Sequence, residues 1–151
     1  MRGWLLDTNV ISELVRPRPD TRVLRWVRRL AEDRTYLSVL ALAELDQGVE
    51  ALPPTDGRRD RYQRFRARIE AEFDGRILGL DNEVVRLWGV LSGRHRRETG
   101  GRAPVIDTLL VATAQRHRLY LATRNLADVQ RLGWPCFDPW TGDPADFPIT
   151  A

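Results

Sequence analysis

The chain has 151 residues, of which 42% are hydrophobic and 30% are charged. This length and composition fit one globular domain with its own core and exclude a disordered chain. Its 24 basic residues, all arginines, exceed its 21 acidic residues by a net charge of +3, which permits a nucleic-acid partner without requiring one. No apolar run reaches the ~18 residues of a membrane span, and the first is too short for a signal peptide. We therefore expect a cytoplasmic protein with no membrane partner.

Short apolar runs alternate with helix-like segments, a pattern typical of α/β domains with a mainly parallel sheet. The predicted elements in chain order are strand 4–6, helices 10–15 and 21–31, strand 35–38, helices 40–51 and 58–73, strand 76–78, helices 83–97 and 104–116, strand 119–122, helix 126–131 and strand 136–137. The breaks are short and rich in proline or glycine. Residues 1–151 are therefore predicted to form one domain, with an irregular tail after about residue 139.

The helix over residues 58–73 is predicted to be amphipathic. Its apolar stripe consists of Tyr62, Phe65, Ile69 and Phe73, and its arginines on another side are Arg61, Arg64 and Arg68. The arginine side fits either a solvated surface or a ridge that contacts phosphate or a partner. Both alternatives are compatible with the sequence.

Asp7 ends the first apolar run and precedes Thr8 and Asn9. In open α/β sheets, ligands collect outside the carboxyl ends of the strands, which makes Asp7 a candidate site residue. Aspartate, threonine and asparagine are also good helix caps, so a purely structural role for this residue is equally compatible with its position.

Two further carboxylates lie within apolar sequence. Glu44 has only small neighbours at helical spacing, Ala41, Gly48 and Ala51, and its alternative role is an internal ion pair with an arginine. Asp107 lies near the start of "VIDTLLVATA", where the helix dipole alone would favour an acid. If the first strand and these two helices converge, the like charges repel, and a divalent cation relieves that repulsion.

The ligand types restrict the ion that such a centre would hold. Cys136 is the single cysteine, and His95 and His117 are the two histidines, which excludes a disulfide framework and gives no zinc motif. Carboxylate oxygens suit Mg²⁺ or Mn²⁺, which activates water and neutralises charge on a phosphoryl group. The sequence therefore predicts metal-dependent phosphodiester hydrolysis with one or two ions.

Five blocks together resemble the PIN domain family, specifically the VapC- and FitB-like toxins of bacterial toxin–antitoxin operons. The blocks are "LLDTNVISEL", "LALAELDQGV", "VIDTLLVATA", "LATRNLADV" and "GWPCFDPW". The resemblance implies a three-layer α/β/α domain with a mainly parallel central sheet of about five strands. It also implies an Mg²⁺- or Mn²⁺-dependent ribonuclease that is inhibited by a cognate antitoxin protein.

By position, the resemblance implies that Asp7, Glu44 and Asp107 are the first three acids and metal ligands. Thr8, Asn9, Thr123 and Asn125 match the family's supporting polar residues. The fourth acidic place is ambiguous between Asn125 and Asp128, and we favour Asp128 as an outer catalytic carboxylate. Arg102 and Arg124 flank two of the blocks as candidates for contact with substrate phosphate, with surface ion pairs as their alternative.

The resemblance also implies a homodimer and a toxin–antitoxin hetero-oligomer. The apolar residues Leu87, Trp88 and Leu91 fit either such an interface or the core. A catalytically inactive module that binds RNA or protein is the alternative function. An aspartyl phosphatase is disfavoured, because Asn9 stands where that chemistry needs a second acid.

Overall fold

A computed structural model describes residues 3–146 of the chain. The strands in this part are β1 (Trp4–Leu6), β2 (Thr35–Ser38), β3 (Ile77–Leu78), β4 (Tyr120–Ala122) and β5 (Cys136–Phe137). They form one sheet in the order β3-β2-β1-β4-β5, and every neighbouring pair is parallel. The central strand β1 thus separates the half built from β2 and β3 from the half built from β4 and β5.

Helices cover both faces of this sheet. They are α1 (Thr8–Glu13), α2 (Thr21–Val27), α3 (Val39–Glu50), α4 (Arg58–Glu72), α5 (Asn82–Thr99), α6 (Val105–His117) and α7 (Leu126–Gln130). The first four supply side chains to one hydrophobic cluster, and the last three supply side chains to the other. The predicted three-layer α/β/α architecture with a parallel five-stranded sheet is confirmed.

Successive side chains of β1 point to opposite faces of the sheet and so belong to different hydrophobic clusters. Trp4 and Leu6 face the cluster on the α1–α4 side, and Leu5 faces the other. The fully buried Trp4 ring lies 4.9 Å from the rings of Trp26 and Tyr120, measured between centroids. Before it, Gly3 lies so close to the chain that an added Cβ would be 2.1 Å from the Arg34 carbonyl oxygen. Glycine at this position permits the approach of β1 to the segment entering β2.

Two predicted helix boundaries differ from the structure for identifiable reasons, the first by two residues and the second by four. The first helix begins at Thr8 rather than at residue 10, because the Asp7 side chain caps it by accepting from the Thr8 backbone N–H. The second ends at Val27 rather than at residue 31, where i to i−3 hydrogen bonds of Arg29 and Leu30 replace the helical pattern. The other boundaries agree within two residues.

On α4 the predicted apolar stripe is correct except for Tyr62, which is exposed, whereas Ile69 and Phe73 are buried. Its arginine side is solvated and occupied by local partners. Arg64 pairs with Asp60, Arg68 pairs with Glu72 at 3.3 Å, and Arg61 donates to the Val15 carbonyl oxygen at 3.0 Å. These contacts favour the solvated alternative over a free phosphate-binding ridge.

On α5, Leu91 is buried, and Leu87 and Trp88 pack against the second cluster, which favours the core alternative for these three residues. In the tail predicted to be irregular, Trp140 is buried in the first cluster, and the described residues after it contain the short 3₁₀ turn Pro144–Asp146. Residues 147–151 of that tail lie outside the described residues. Over residues 3–146, no helix is long and apolar enough to cross a membrane.

Candidate active site

The site lies where the strand order reverses. The chain builds the sheet from β1 outward through β2 and β3, and then returns to the other side of β1 with β4. Such a reversal opens a crevice at the carboxyl ends of the two adjacent strands. Asp7 directly follows β1, and Thr123 directly follows β4. The two side chains meet there, with the Thr123 hydroxyl donating to Asp7 Oδ2 at 2.7 Å.

Asp7 is buried, with 5% of its surface exposed, and three donors surround its carboxylate. The Thr8 backbone N–H donates to Oδ1 at 2.7 Å, and the Asn9 side-chain amide donates to Oδ2 at 3.0 Å, in addition to Thr123. Asp7 therefore caps α1 and also lies in the crevice, so its cap role does not exclude a role in the candidate site.

Glu44 approaches Asp7 from the next strand–helix unit. Ser38 at the end of β2 caps α3 by accepting from the Leu40 backbone N–H, and Glu44 lies in the second turn of that helix. Its Oε1 accepts a hydrogen bond from the Thr8 hydroxyl at 3.2 Å. Glu44 takes part in none of the ion pairs formed among residues 3–146, so the internal ion pair with arginine is not found there.

Asp107 lies in the first turn of α6 and is half-buried. Burial raises its pKa above the ordinary value, the Asn125 amide counteracts this, and the charge of Asp128 raises it further. Asn125 and Asp128 therefore both act on Asp107, from the loop after β4 and from the first turn of α7. Both residues considered for the fourth acidic place therefore act on Asp107, and they shift its pKa in opposite directions: Asn125 lowers it and Asp128 raises it.

The first three carboxylates interact electrostatically. Burial is the main cause that raises the pKa of Asp7, and the charge of Asp107 adds to it, while the hydrogen bonds from Thr123, Thr8 and Asn9 lower it. Burial also raises the pKa of Glu44, and the charges of Asp7 and Asp107 contribute. Like charges thus accumulate at one edge of the sheet, and no arginine within residues 3–146 forms an ion pair with Asp7, Glu44 or Asp107.

The donor types at this edge fit a hard divalent cation. Carboxylate oxygens without imidazole or thiolate suit Mg²⁺ and Mn²⁺. Asn9 Oδ1 is also buried and has no hydrogen-bond partner among the described residues, so an unsatisfied oxygen acceptor lies beside Asp7. Within residues 3–146, no group of three or more Asp, Glu, His or Cys side chains lies close enough together to hold a metal ion. The fit to a metal ion is therefore one of donor type and charge.

The two arginine candidates differ in their surroundings. The Arg124 guanidinium lies 5.0 Å from the centroid of the buried Trp140 ring. Arg124 follows Thr123 in the sequence, whose hydroxyl contacts Asp7. A guanidinium stacked on an aromatic face keeps its edge donors available. Arg102 is exposed in the loop before α6, and it forms no ion pair within the described chain.

Sequence reasoning missed two residues at this edge. Asp138 follows β5 and is buried, and it accepts from the Trp140 backbone N–H and the Thr141 hydroxyl, both at 2.8 Å. Its position after a strand was the same signal that singled out Asp7. Trp140, which supports Arg124, carried no signal because the tail lacked a hydrophobic periodicity.

The raised pKa values predict that the charge on Asp7 destabilises the metal-free fold. A carboxyl with a raised folded pKa keeps its proton longer in the folded state, so stability falls as pH rises from about 4 through the raised value. Asp7→Asn removes this loss. We therefore expect its thermal midpoint to match that of wild type near pH 4 and to exceed it increasingly as the pH is raised to 7. Thermal unfolding in chelator checks this, and a difference independent of pH would contradict it.

The comparisons with known proteins agree with this geometry. The PIN domain family model matches residues 4–133. Toxin FitB of Neisseria gonorrhoeae is 35% identical over 136 residues, which cover 90% of this chain and 97% of that protein. VapC ribonuclease Y4jK of Sinorhizobium fredii is 32% identical over 136 residues, with 90% and 96% covered.

Solved structures give the same result. The crystal structure of FitAcB from Neisseria gonorrhoeae contains a chain that matches with a TM-score of 0.80 and 34% identity, covering 91% of this chain and 99% of that one. A FitAB structure bound to a DNA fragment matches with a TM-score of 0.84 and 32% identity, covering 93% and 97%. The resemblance predicted from the five blocks is confirmed: the chain belongs to the PIN domain family.

Proposed function

We propose that this protein is a divalent-metal-dependent endoribonuclease that acts as the toxin of a toxin–antitoxin pair. The observation that carries the proposal is the accumulation of Asp7, Glu44 and Asp107 at the strand-order reversal, where each pKa is raised and no ion pair among residues 3–146 involves them. The relatives named toxin FitB and VapC ribonuclease support the same assignment.

Asp7, Glu44 and Asp107 would hold Mg²⁺ or Mn²⁺, with Asp128 as an outer carboxylate. When bound, such an ion neutralises the carboxylates, lowers the pKa of a water molecule and stabilises charge on the phosphoryl group. The buried Asp7 is the anchor of this group, because three donors fix both of its oxygens. Glu44 is the more adjustable ligand, since its one described hydrogen bond is the 3.2 Å contact from Thr8.

The polar residues around these acids orient them. Thr123 holds Asp7 Oδ2 through its hydroxyl and is itself fixed by the Asn125 backbone N–H, which donates to it at 3.1 Å. Thr8 connects Asp7 and Glu44, because its backbone N–H donates to the first and its hydroxyl donates to the second. These contacts limit the rotation of the carboxylates, which keeps the ligand geometry ready for an ion.

RNA phosphates would contact Arg124 and Arg102 beside the acids. The Trp140 ring, 5.0 Å from the Arg124 guanidinium, limits the rotation of that side chain, so less rotational freedom is lost when a phosphate binds. Arg102 precedes the helix that carries Asp107. Both arginines supply the positive charge that the acidic centre lacks toward a polyanionic substrate.

The partners that we propose are an RNA substrate, a cognate antitoxin and a second copy of this chain, with a toxin–antitoxin hetero-oligomer as the inhibited form. The solved complexes of related toxins named FitAB and VapBC support the antitoxin. We further propose that residues 1–151 act as one domain and that the protein works in the cytoplasm, where its RNA substrates are made.

Incubation of purified, antitoxin-free protein with labelled single-stranded and structured RNAs tests the function. We expect cleavage in Mg²⁺ or Mn²⁺ and none in chelator, because the unneutralised carboxylates alone repel the phosphate. Tight RNA binding that persists in chelator, without cleavage in added Mn²⁺, would contradict the proposal and favour an inactive binding module.

A further inference from the structure

Four arginines lie within nine residues of sequence where α5 ends and the chain leads into α6. We name this group, Arg94, Arg96, Arg97 and Arg102, the α5–α6 corner. All four side chains are exposed, and none takes part in the ion pairs formed among residues 3–146. Glu98 is the single acid between the first and the last of them. The corner therefore carries net positive charge that no described neighbour neutralises.

The arginines of α4 provide a contrast within the same molecule. Arg58 pairs with Asp56 at 2.8 Å, Arg64 pairs with Asp60, and Arg68 pairs with Glu72 at 3.3 Å. Both groups are exposed and arginine-rich, but only those on α4 have carboxylates within ion-pair distance. An arginine-rich composition therefore does not by itself explain why the arginines of the corner lack ion-pair partners among the described residues.

The corner adjoins the acidic centre along the chain. Gly100, with a φ of 75°, ends α5, and a short loop then leads to α6, whose third residue is Asp107. The backbone separation of Arg102 and Asp107 is at most about 18 Å, because five chain steps of at most ~3.6 Å join them. The free positive charge thus begins within one loop of the carboxylates that would hold the ion.

We propose that the α5–α6 corner binds the phosphate backbone of the RNA substrate outside the cleavage centre and guides the strand to it. This inference rests on the proposed ribonuclease function. A cluster of acids repels a polyanion, so a nuclease of this kind needs positive charge beside the acids rather than within them. Arginine suits this role because its planar donors bind a phosphate with two parallel hydrogen bonds.

Helix stabilisation is the other physical reason for two of these residues. Arg96 and Arg97 lie in the last turn of α5, where positive charge interacts favourably with the helix dipole. That effect changes the stability of the protein but not its affinity for RNA. Arg102, beyond the end of the helix, has no such role. RNA affinity and its salt dependence therefore distinguish the proposed role from helix stabilisation.

The test compares two triple variants with the same change of net charge. The corner variant carries Arg96→Gln, Arg97→Gln and Arg102→Gln, and the control variant carries Arg58→Gln, Arg64→Gln and Arg68→Gln on α4. Each is titrated against a fluorescent single-stranded RNA in chelator at several salt concentrations, after thermal unfolding has shown that it is folded. Steady-state cleavage in Mn²⁺ then gives kcat and KM for both variants.

We expect the corner variant to bind RNA about tenfold more weakly and to raise KM with little change in kcat. Its salt slope should fall by about 2, since each lost phosphate contact on a single strand accounts for about 0.7. The control variant should change affinity less than about twofold. Equal losses in both variants, or no loss in the corner variant, would overturn the proposal.

The outcomes also separate this inference from the proposed function. If wild type cleaves RNA and the corner variant keeps the same RNA affinity and KM, the corner does not bind RNA, and the proposed ribonuclease function is unaffected. Conversely, if wild type does not cleave RNA but binds it more tightly than the corner variant does, the ribonuclease function is refuted and RNA binding by the corner is supported. Wild type that does not bind RNA at all would overturn the corner.

Discussion

Asp7→Asn is expected to lower metal-dependent RNA cleavage by about 10³-fold or more while the protein stays folded. Asp7 is the most buried of the acids in the crevice, and it is the one whose two oxygens are both fixed by donors. An amide at this position has nearly the same shape, but it carries no charge and offers one oxygen instead of two. The ion would lose its central ligand, and the measurement is the rate of RNA cleavage in Mn²⁺.

The fold should tolerate this substitution because its neighbours can rearrange. The Asn9 amide now donates to Asp7 with Nδ2, and its Oδ1 has no partner among the described residues. A flip of that amide would let the unsatisfied oxygen accept from an asparagine at position 7, and the Thr123 hydroxyl can rotate to accept as well. Loss of activity therefore should not coincide with loss of the native state.

Glu13→Gln is the matched control for Asp7→Asn. Glu13 is also a buried acid in the first helical segment, but its partners are the Asp20 backbone N–H and Arg16, away from the crevice. We expect this variant to keep its cleavage rate within a few-fold. If Asp7→Asn cleaved RNA as fast as wild type, with contaminating nuclease excluded, the assignment of the site would be wrong.

Thr123→Val is expected to weaken Mn²⁺ binding and cleavage about 10–100-fold, although Thr123 itself need not touch the ion. Its hydroxyl gives Asp7 one of its three hydrogen bonds, at 2.7 Å, and lowers the pKa of that carboxyl. Valine keeps the shape but leaves the buried carboxylate with one donor fewer and the Asn125 N–H without its acceptor. The carboxylate then becomes harder to ionise and freer to rotate. Calorimetric titration with Mn²⁺ measures the loss.

Two variants control this result. Thr113→Val makes the same change at a fully buried threonine on α6 whose hydroxyl donates to the Leu109 carbonyl oxygen, so it reports the structural cost alone. Thr123→Ser restores the hydroxyl and should recover most of the affinity. An equal loss of Mn²⁺ affinity in Thr113→Val, or no recovery with serine, would mean that the hydroxyl contact to Asp7 is not the cause.

Much of the fold could be predicted because local patterns and tertiary contacts agree along most of the chain. The runs at Trp4–Leu6, Thr35–Ser38 and Cys136–Phe137 form strands with the predicted bounds. Gly3 precedes the first of these runs and Pro135 precedes the last, and such breaks help to mark the start of a short buried strand. The end of α2 was not predictable in the same way, since the residues after Val27 keep good helical propensity and only their hydrogen bonding shows the change to a 3₁₀ turn.

The site was predictable where an acid interrupts apolar sequence. Asp7, Glu44 and Asp107 were singled out by that criterion, and the structure brings them within electrostatic reach of one another. The contacts around them were not predictable, because they join residues far apart in the chain. Thr123 is 116 positions from Asp7, and no local pattern shows that its hydroxyl would reach that carboxylate. The support of Arg124 by Trp140 depends equally on tertiary packing.

The charge balance at the crevice also argues against a module that only binds RNA. A binding surface gains nothing from three carboxylates that each have a raised pKa, chiefly through burial, and that repel phosphate. Such an arrangement costs stability in the metal-free protein, which is understandable if a cation compensates it during function. Under the proposed function, the positive charge that binds RNA would lie beside the acids, at Arg124 and at the α5–α6 corner.

The most direct test of the central claim is the Mn²⁺ affinity of the antitoxin-free protein. Calorimetric titration of wild type would be compared with Asp7→Asn, Glu44→Gln and Asp107→Asn, with Glu13→Gln as the control. If the three carboxylates hold one ion together, each of the three variants weakens binding at least about tenfold and the control does not. Unchanged Mn²⁺ affinity in all three variants, or no Mn²⁺ binding by folded wild type, would contradict it.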